Sequence, residues 1–437
     1  MSASPTAPAT QSGAAMHRLI AELFPICRSI TGDGVRATLR RVAELLPLVT
    51  HEVPSGTPVF DWSVPKEWNI RDAYIADSRG ERVVDFRRSN LHVVSYSAPV
   101  RRRMALAELR PHLFTLPEQP ERTPYRTSYY QESWGFCLPH RQLAELRDEE
   151  YEVVIDSTLA DGSLTYGECL IPGELQDEVL ISCHVCHPSL ANDNLSGLAL
   201  ATAMAGNLAE RARRRYSYRF LFIPGTIGSI TWLARNPEAA ARVRHGFVVT
   251  CVGDGGQVTY KRSRRGQAPI DRAFAHVLRQ SGRPHRVIDF FPYGYDERQY
   301  CSPGFNLPVG CLMRSQHGTF PEYHTSGDNL EFVRPEALED SLALALEVVD
   351  VLERDERYRS TNPFCEPQLG KRGLYGSVGG YSPQQYQLAM LWVLNLADGE
   401  HSLLDTAERA EVPFALVADI AARLVEHGLL APTHLPL

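Results

Sequence analysis

The stretch Cys183–Gly197, CHVCHPSLANDNLSG, gathers two cysteines, two histidines and an aspartate. Thiolate, imidazole and carboxylate are the side-chain donors of protein zinc sites. The stretch therefore reads as a zinc finger, as part of a catalytic metal site, or as a polar loop. Cys183 and Cys186 form CxxC, and His184 and His187 form HxxH. A structural finger needs a second ligand pair at fixed spacing downstream. The next cysteine is Cys251, alone, which sets the finger aside. His184 ends the apolar run DEVLISCH, and Asp193 stands just before a helix-like run. Ligands in open α/β sheets gather beyond the carboxyl ends of strands, where an imidazole and a carboxylate suit zinc. The bland alternative is that Asp193 or Asn194 caps the helix while His184 bonds a backbone carbonyl.

A second fragment, PEYHTSGDN at residues 321–329, carries His324 in a polar loop with Asp328 placed to orient its ring. His187 is an added ligand candidate, and Cys186 reads as a soft ligand or an inert buried thiol. Asp254, in VGDGG, is open between metal ligation and an Asp-Gly turn. The segment YGYDERQY offers Asp296 and Glu297. A contact to a substrate amine, the role of a base, and a salt bridge to Arg298 or another arginine are all open to them. KRSRRG, residues 261–266, reads as a solvated or anion-recognising surface loop.

The elements that must position these residues are legible as a pattern. A helix is expected from Ala15, with Met16, Leu19, Ile20 and Leu23 on one face, and another over Gly34–Leu46. From His51 to Pro139 short β-like runs alternate with turns and aromatics, which reads as a separate strand-rich module. YEVVIDSTL and GSLTYGECLIPG follow as strands. DEVLISC, SYRFLFIP and HGFVVTCVG are near-continuous apolar strands separated by helices, the mark of a parallel sheet covered on both faces. A long helix over 336–355 closes that unit. In the tail, PQQYQLAMLWVLNLAD, LLDTAERA (with Ser402 as cap) and FALVADIAARLVEHG suggest a winged helix.

Composition bounds the function. A chain of 437 residues exceeds one usual core, so two or three units are expected. A net charge of −7 gives no pull toward nucleic acid or anionic membrane. From residue 371 the tail carries four Lys or Arg against seven Asp or Glu, the wrong sign for a phosphate backbone. Packing or homo-oligomerisation is the use left to it. No run approaches the roughly 18 apolar residues of a membrane helix, and the polar Ala/Ser/Thr/Pro start, without an apolar run after a basic one, is not expected to be a secretory signal. Nine scattered cysteines read as thiols in a reducing cytoplasm.

The order strand, His, short loop, Asn-Asp, helix, then much later Tyr-His-Thr, resembles the zinc aminopeptidase superfamily. CHPSLANDNLSG, IGSITWL, YKRSRRG, YGYDERQYCSPGFNLPVG and YHTSGDNL are more closely similar to the bacterial aminopeptidase-like family. EWNIRDAYI, SNLHVVSYS and PYRTSYY extend the likeness to nearly the whole chain after residue 15. The resemblance implies an α/β fold with a mixed, mostly parallel, zinc-peptidase-like sheet flanked by helices. It implies a disordered start at residues 1–14, the α/β domain at 15–50 and 140–360, an inserted β-rich domain at 51–139, and a winged-helix domain at 370–437. It makes His184, Asp193 and His324 the zinc ligands, with Asp254 an added candidate, one ion expected and two open. The substrate it implies is a small peptide or aminoacyl amide.

The same resemblance marks departures. Superfamily members end the strand matching RFLFIP in one or two glutamates, the first being the general base. Here Gly225 and Thr226 stand there, and a lost base costs on the order of 100- to 10,000-fold in rate. Thr250 stands where an aspartate ligand is usual, and Cys186 where an aspartate is usual. Asp296 or Glu297 is the carboxylate left for the proton or the substrate amine. The alternatives are a repurposed acyl-transfer or specialised-metabolite enzyme, and a non-catalytic, metal-stabilised small-molecule binding protein.

Overall fold

A computed structural model of the protein describes residues 12–374 and 382–433. Most of the expected disordered start, residues 1–11, lies outside the described residues. Two compact units form: one from the chain up to Gly266 with Arg286–Leu342, the other from Gln267–His285 with the chain from Ala343 onward.

The first unit begins with α1 (Gly13–Leu23) and α2 (Asp33–Ala43). The start of α1 precedes Ala15 because the Ser12 side chain accepts the Ala15 N–H at 3.2 Å and caps the turn. The main sheet has eight strands: β1 (Val49–Pro54), β2 (Ser163–Ile171), β3 (Glu178–His184), β4 (Ser217–Ile223), β5 (Val243–Val249), β6 (Val258–Lys261), β7 (His285–Ile288) and β8 (Val309–Met313). Their spatial order is β1-β2-β4-β3-β5-β8-β6-β7. The four central strands, β4-β3-β5-β8, are mutually parallel, while β1, β2 and β6 add antiparallel edges. Strands β3 and β4 are buried at every position, as their unbroken apolar runs require. The helices α3 (Gly197–Glu210) and α4 (Ile227–Arg235) follow β3 and β4.

A second, antiparallel sheet orders Arg82–Asp85, Glu67–Ala76, Glu150–Ala160 and Val100–Ala105. Its core is separate and includes Ile75, Val84, Met104, Phe136 and Val153. The expected limits of the strand-rich module shift accordingly. Val49–Pro54 edges the main sheet instead, and YEVVIDSTL, read as a strand of the α/β domain, is the central strand here.

The second unit holds helices Pro383–Asn395, Leu403–Ala410 and Phe414–Glu426 with a three-stranded antiparallel sheet, ordered Asp398–Ser402, Arg357–Ser360, Leu430–Pro432. Together these form a winged helix. Ser402 accepts the Asp405 N–H at 3.2 Å, as expected of a cap. The helix Pro269–Gln280, expected within the α/β domain, groups with this unit. Its Arg272 pairs with Asp405 at 2.6 Å and also with Glu408. Among the described residues no helix is long and apolar enough to cross a membrane.

Candidate active site

The carboxyl ends of the parallel strands deliver the candidate residues. His184 is the last residue of β3, and an irregular turn over Ala191–Ser196 leads into α3. Asn194 caps that helix: its Oδ1 accepts the Gly197 N–H at 3.1 Å, and its Nδ2 donates to Val249 O at 3.0 Å. Asp193 is thereby left free of capping. His184 Nε2 lies 2.8 Å from Asp193 Oδ1, and His324 Nε2 lies 3.1 Å from Asp193 Oδ2. Asn194 Nδ2 also approaches His184 Nδ1 at 3.3 Å, which turns the Nε2 edge to Asp193. So three residues drawn from two distant motifs meet on one carboxylate.

Asp193 is fully buried, and His184 nearly so, while the His324 side chain keeps 34% exposure. Burial alone would raise the Asp193 pKa. His187, His184 and His324 outweigh it and hold the carboxyl well below its usual range. His187 joins the group: donor atoms of His184, His187 and Asp193 lie within 4.8 Å of one another. Burial holds the His187 imidazole well below its usual pKa, in the neutral form that can ligate a metal. Arg28, missed in the sequence, donates Nε to His187 O at 2.8 Å and fixes that loop from behind.

Asp328 does not orient the His324 ring. Its two oxygens accept the N–H groups of Asn192 at 2.5 Å and Asp193 at 2.9 Å, so it clamps the Asp193 turn. Burial pushes its pKa up to about 8. His324 is instead stacked on Tyr323, with ring centroids 4.0 Å apart, and meets the edge of Tyr125 at 5.0 Å. Tyr125 N also donates to His324 O at 2.7 Å. Tyr125 comes from the PYRTSYY segment, so that part of the chain walls the site.

The structure does not bring Asp254 to the cluster. Its carboxylate accepts from Asn192 Nδ2 (2.8 Å), Ser315 Oγ (2.8 Å), Ser315 N (3.2 Å) and Gly256 N (2.6 Å). With its lone pairs so engaged it ties loops together. Glu297 is likewise committed. It is buried in an ion pair with buried Lys261, not with an arginine, and accepts the Tyr295 N–H at 3.1 Å. Asp296 is also fully buried. One oxygen accepts from Thr226 N (2.6 Å) and Ser229 Oγ (2.9 Å); the other, Oδ2, has no hydrogen-bond partner among the described residues. Burial pushes its pKa up to about 6.

Tyr295, in the same YGYDERQY segment, has a definite place. Its ring lies flat on His184 with centroids 3.4 Å apart, and its Oη is 3.3 Å from Cys186 Sγ. Burial raises the Cys186 thiol to about 12, so it is a neutral partner there. His317 and Cys251 also lie at the site and were not singled out. The sign that finds them is position: both follow parallel strands, Cys251 after β5 and His317 after β8.

Comparison with known proteins follows the same lines. Residues 17–355 match the family described as "Domain of unknown function (DUF4910)", and residues 356–432 match a winged helix-turn-helix family. A curated protein of Clostridium acetobutylicum is 53% identical over 422 residues, covering 96% of this chain and 97% of its own. Its name refers to polysaccharide biosynthesis and to an aminopeptidase-like domain. A crystal structure from the same organism, named for a peptidase, is similar with a TM-score of 0.93 at 51% identity, covering 97% of each chain. A zinc aminopeptidase of Bacillus subtilis shares the fold, with a TM-score of 0.57 at 12% identity over 79% of this chain and 96% of that one.

Proposed function

The chain belongs to the DUF4910 family, with its aminopeptidase-like fold, and on that premise we propose that it is a zinc-dependent hydrolase of an amide in a small peptide or aminoacyl substrate. The observation that carries this is the meeting of His184 and His324 on opposite oxygens of Asp193. The donor set suits zinc in kind, imidazoles and one carboxylate; the donor atoms of His184, His187 and Asp193 lie within 4.8 Å of one another, and His324 meets the other Asp193 oxygen. Zinc held by His184, Asp193 and His324 would polarise the scissile carbonyl and make water a competent nucleophile near neutral pH.

The chain's own groups have defined tasks in this scheme. His324 is the exposed member of the trio, so substrate approaches from its side, past Tyr125 and Tyr323. Asp296 takes over proton exchange from the absent glutamate. Support comes from its unpartnered Oδ2 and from a pKa near the working range. Glu297, bound to Lys261, holds the Tyr295 backbone instead.

One observation favours a second reading. Tyr295 fills the space above Gly225, which leaves no room for a base at that position. A metal-stabilised binding protein, or an acyl-transfer enzyme, would tolerate that filling. The wider setting in this proposal is cytoplasmic, supported by nine free cysteines. The acidic tail supports packing or self-association in place of DNA binding.

The test is amine release by the zinc-loaded full chain from aminoacyl amides, dipeptides and aminoacylated sugars. The last class is included because the Clostridium relative's name refers to polysaccharide biosynthesis. Release that stops on chelation and returns with zinc supports hydrolysis. Retained zinc with no release from any class favours the binding protein.

A further inference from the structure

We propose that Asp193, Cys251 and His317 form a second cation subsite with a thiolate donor, beside the position bordered by His184 and His187. It deepens the proposed function and rests on the reading that Asp193 carries zinc.

Three observations point there. Donor atoms of Asp193, Cys251 and His317 lie within 4.8 Å of one another, and all three residues are buried. Ligand bonds of about 2.0–2.3 Å place donors on a tetrahedral ion roughly 3.5 Å apart, so a modest closure suffices. The three residues also come from neighbouring parallel strands: Asp193 beyond β3, Cys251 beyond β5, His317 beyond β8. The two outer loops are tied together, since Arg314 N donates to Cys251 O at 2.8 Å and His317 Nε2 lies 3.1 Å from Thr250 Oγ1. Finally, the oxygen donors the family resemblance implies here are not available. Thr250 is a poor ligand, and Asp254 is consumed by Asn192, Ser315 and Gly256. Cys251 and His317 fill the vacated corner with a softer pair.

The chemistry selects the cation. Carboxylate, imidazole and thiolate together suit zinc, whereas magnesium and calcium take oxygen ligands. Asp193, common to both groups, would then be shared by the two positions. The subsite differs from an all-oxygen-and-nitrogen site in one readable way: a cobalt ion placed there has a sulfur ligand.

The experiment is titration of the chelator-stripped full chain with cobalt(II), followed by absorption and by metal content. About two equivalents are expected, with an intense near-ultraviolet thiolate-to-cobalt band. Cys251→Ser should abolish the band and lower binding to about one equivalent, and His317→Ala should lower binding to about one equivalent with a weakened band. Cys186→Ser should leave the band intact. If the Cys251 variant fails to fold by circular dichroism, the His317 variant and the wild-type band still decide. About one cobalt with no sulfur band overturns the second subsite and leaves the first reading standing. A band lost in Cys186→Ser but kept in Cys251→Ser also overturns it. No bound cobalt in the wild type overturns both.

Discussion

Tyr295 stands where the side chain of residue 225 would be. A Cβ built on Gly225 falls 2.5 Å from Tyr295 Cζ and closer still to its Oη. Glycine is therefore required at 225 by steric exclusion. Gly225→Ala is expected to destabilise the protein by about 1–3 kcal/mol, as overpacking does. Gly225→Glu should cost more and should not raise amide hydrolysis above the wild-type level, because the Tyr295 ring on His184 leaves its carboxylate no room. Pairing it with Tyr295→Ala should recover much of the lost stability, a coupling that a double-mutant cycle in urea would read. Additive effects would show that the two residues do not share the space.

Glu297 is expected to behave as a structural anion. It pairs with Lys261, and both side chains are almost fully buried. Removing one partner strands a buried charge, at a cost of about 3–5 kcal/mol. Lys261→Met and Glu297→Gln should each lower the unfolding midpoint, and the Lys261→Met/Glu297→Leu double variant should be less harmed than either effect summed. A Glu297→Gln protein of full stability but greatly reduced turnover would return Glu297 to the list of catalytic groups.

Much of this was legible before any coordinates. The unbroken apolar runs that became β3, β4 and β5 read as buried parallel strands, and His184 and Asp193 beyond one of them marked a candidate site. The distant His324 needed the likeness to a family, because nothing local separates it from a solvated loop histidine. Asp254 and Glu297 were left open for one reason. Carboxylates in loops look alike in sequence, and only the positions of Asn192, Ser315 and Lys261 reveal that they are already satisfied. His317 was invisible because its neighbours, Asp193 and Cys251, lie far from it along the chain. The limits of the strand-rich module were blurred because Glu150–Ala160 serves one sheet and the strand that follows it, β2, serves the other.

Acid should weaken the first unit through His245. The ring lies inside β5 against Tyr216, its Nδ1 has no hydrogen-bond partner among the described residues, and burial, aided by Arg215 and Arg244, lowers its pKa to about 3. The sign follows from linkage. Below about pH 6.5 the unfolded chain takes up a proton that the folded chain refuses until about pH 3. Stability from this group is therefore intact above pH 6.5 and falls as pH drops through that window. Each unit is worth about 1.4 kcal/mol, so roughly 2 kcal/mol should be lost between pH 7 and pH 5. His245→Leu should flatten that limb in urea titrations at the two pH values. An unchanged pH slope would show that His245 is protonated in the folded state.

Asp254→Asn is expected to separate loop tethering from metal binding. The amide cannot accept all four donors that now surround the carboxylate. Stability should fall by about 1–3 kcal/mol, while metal content stays at the wild-type level. Loss of metal in a variant that remains folded would restore Asp254 as a ligand.

The most direct test is zinc per chain, counted by mass spectrometry on protein purified without added metal and again after brief exposure to zinc. Wild type, Asp193→Ala and His324→Ala are compared, each checked for folding. Asp193 is the shared acceptor of both histidines, so zinc is expected in the wild type, absent from the Asp193 variant and strongly depleted in the His324 variant. Zinc retained in full by folded Asp193→Ala, or no zinc in the wild type under either condition, would contradict a metal centre built on Asp193.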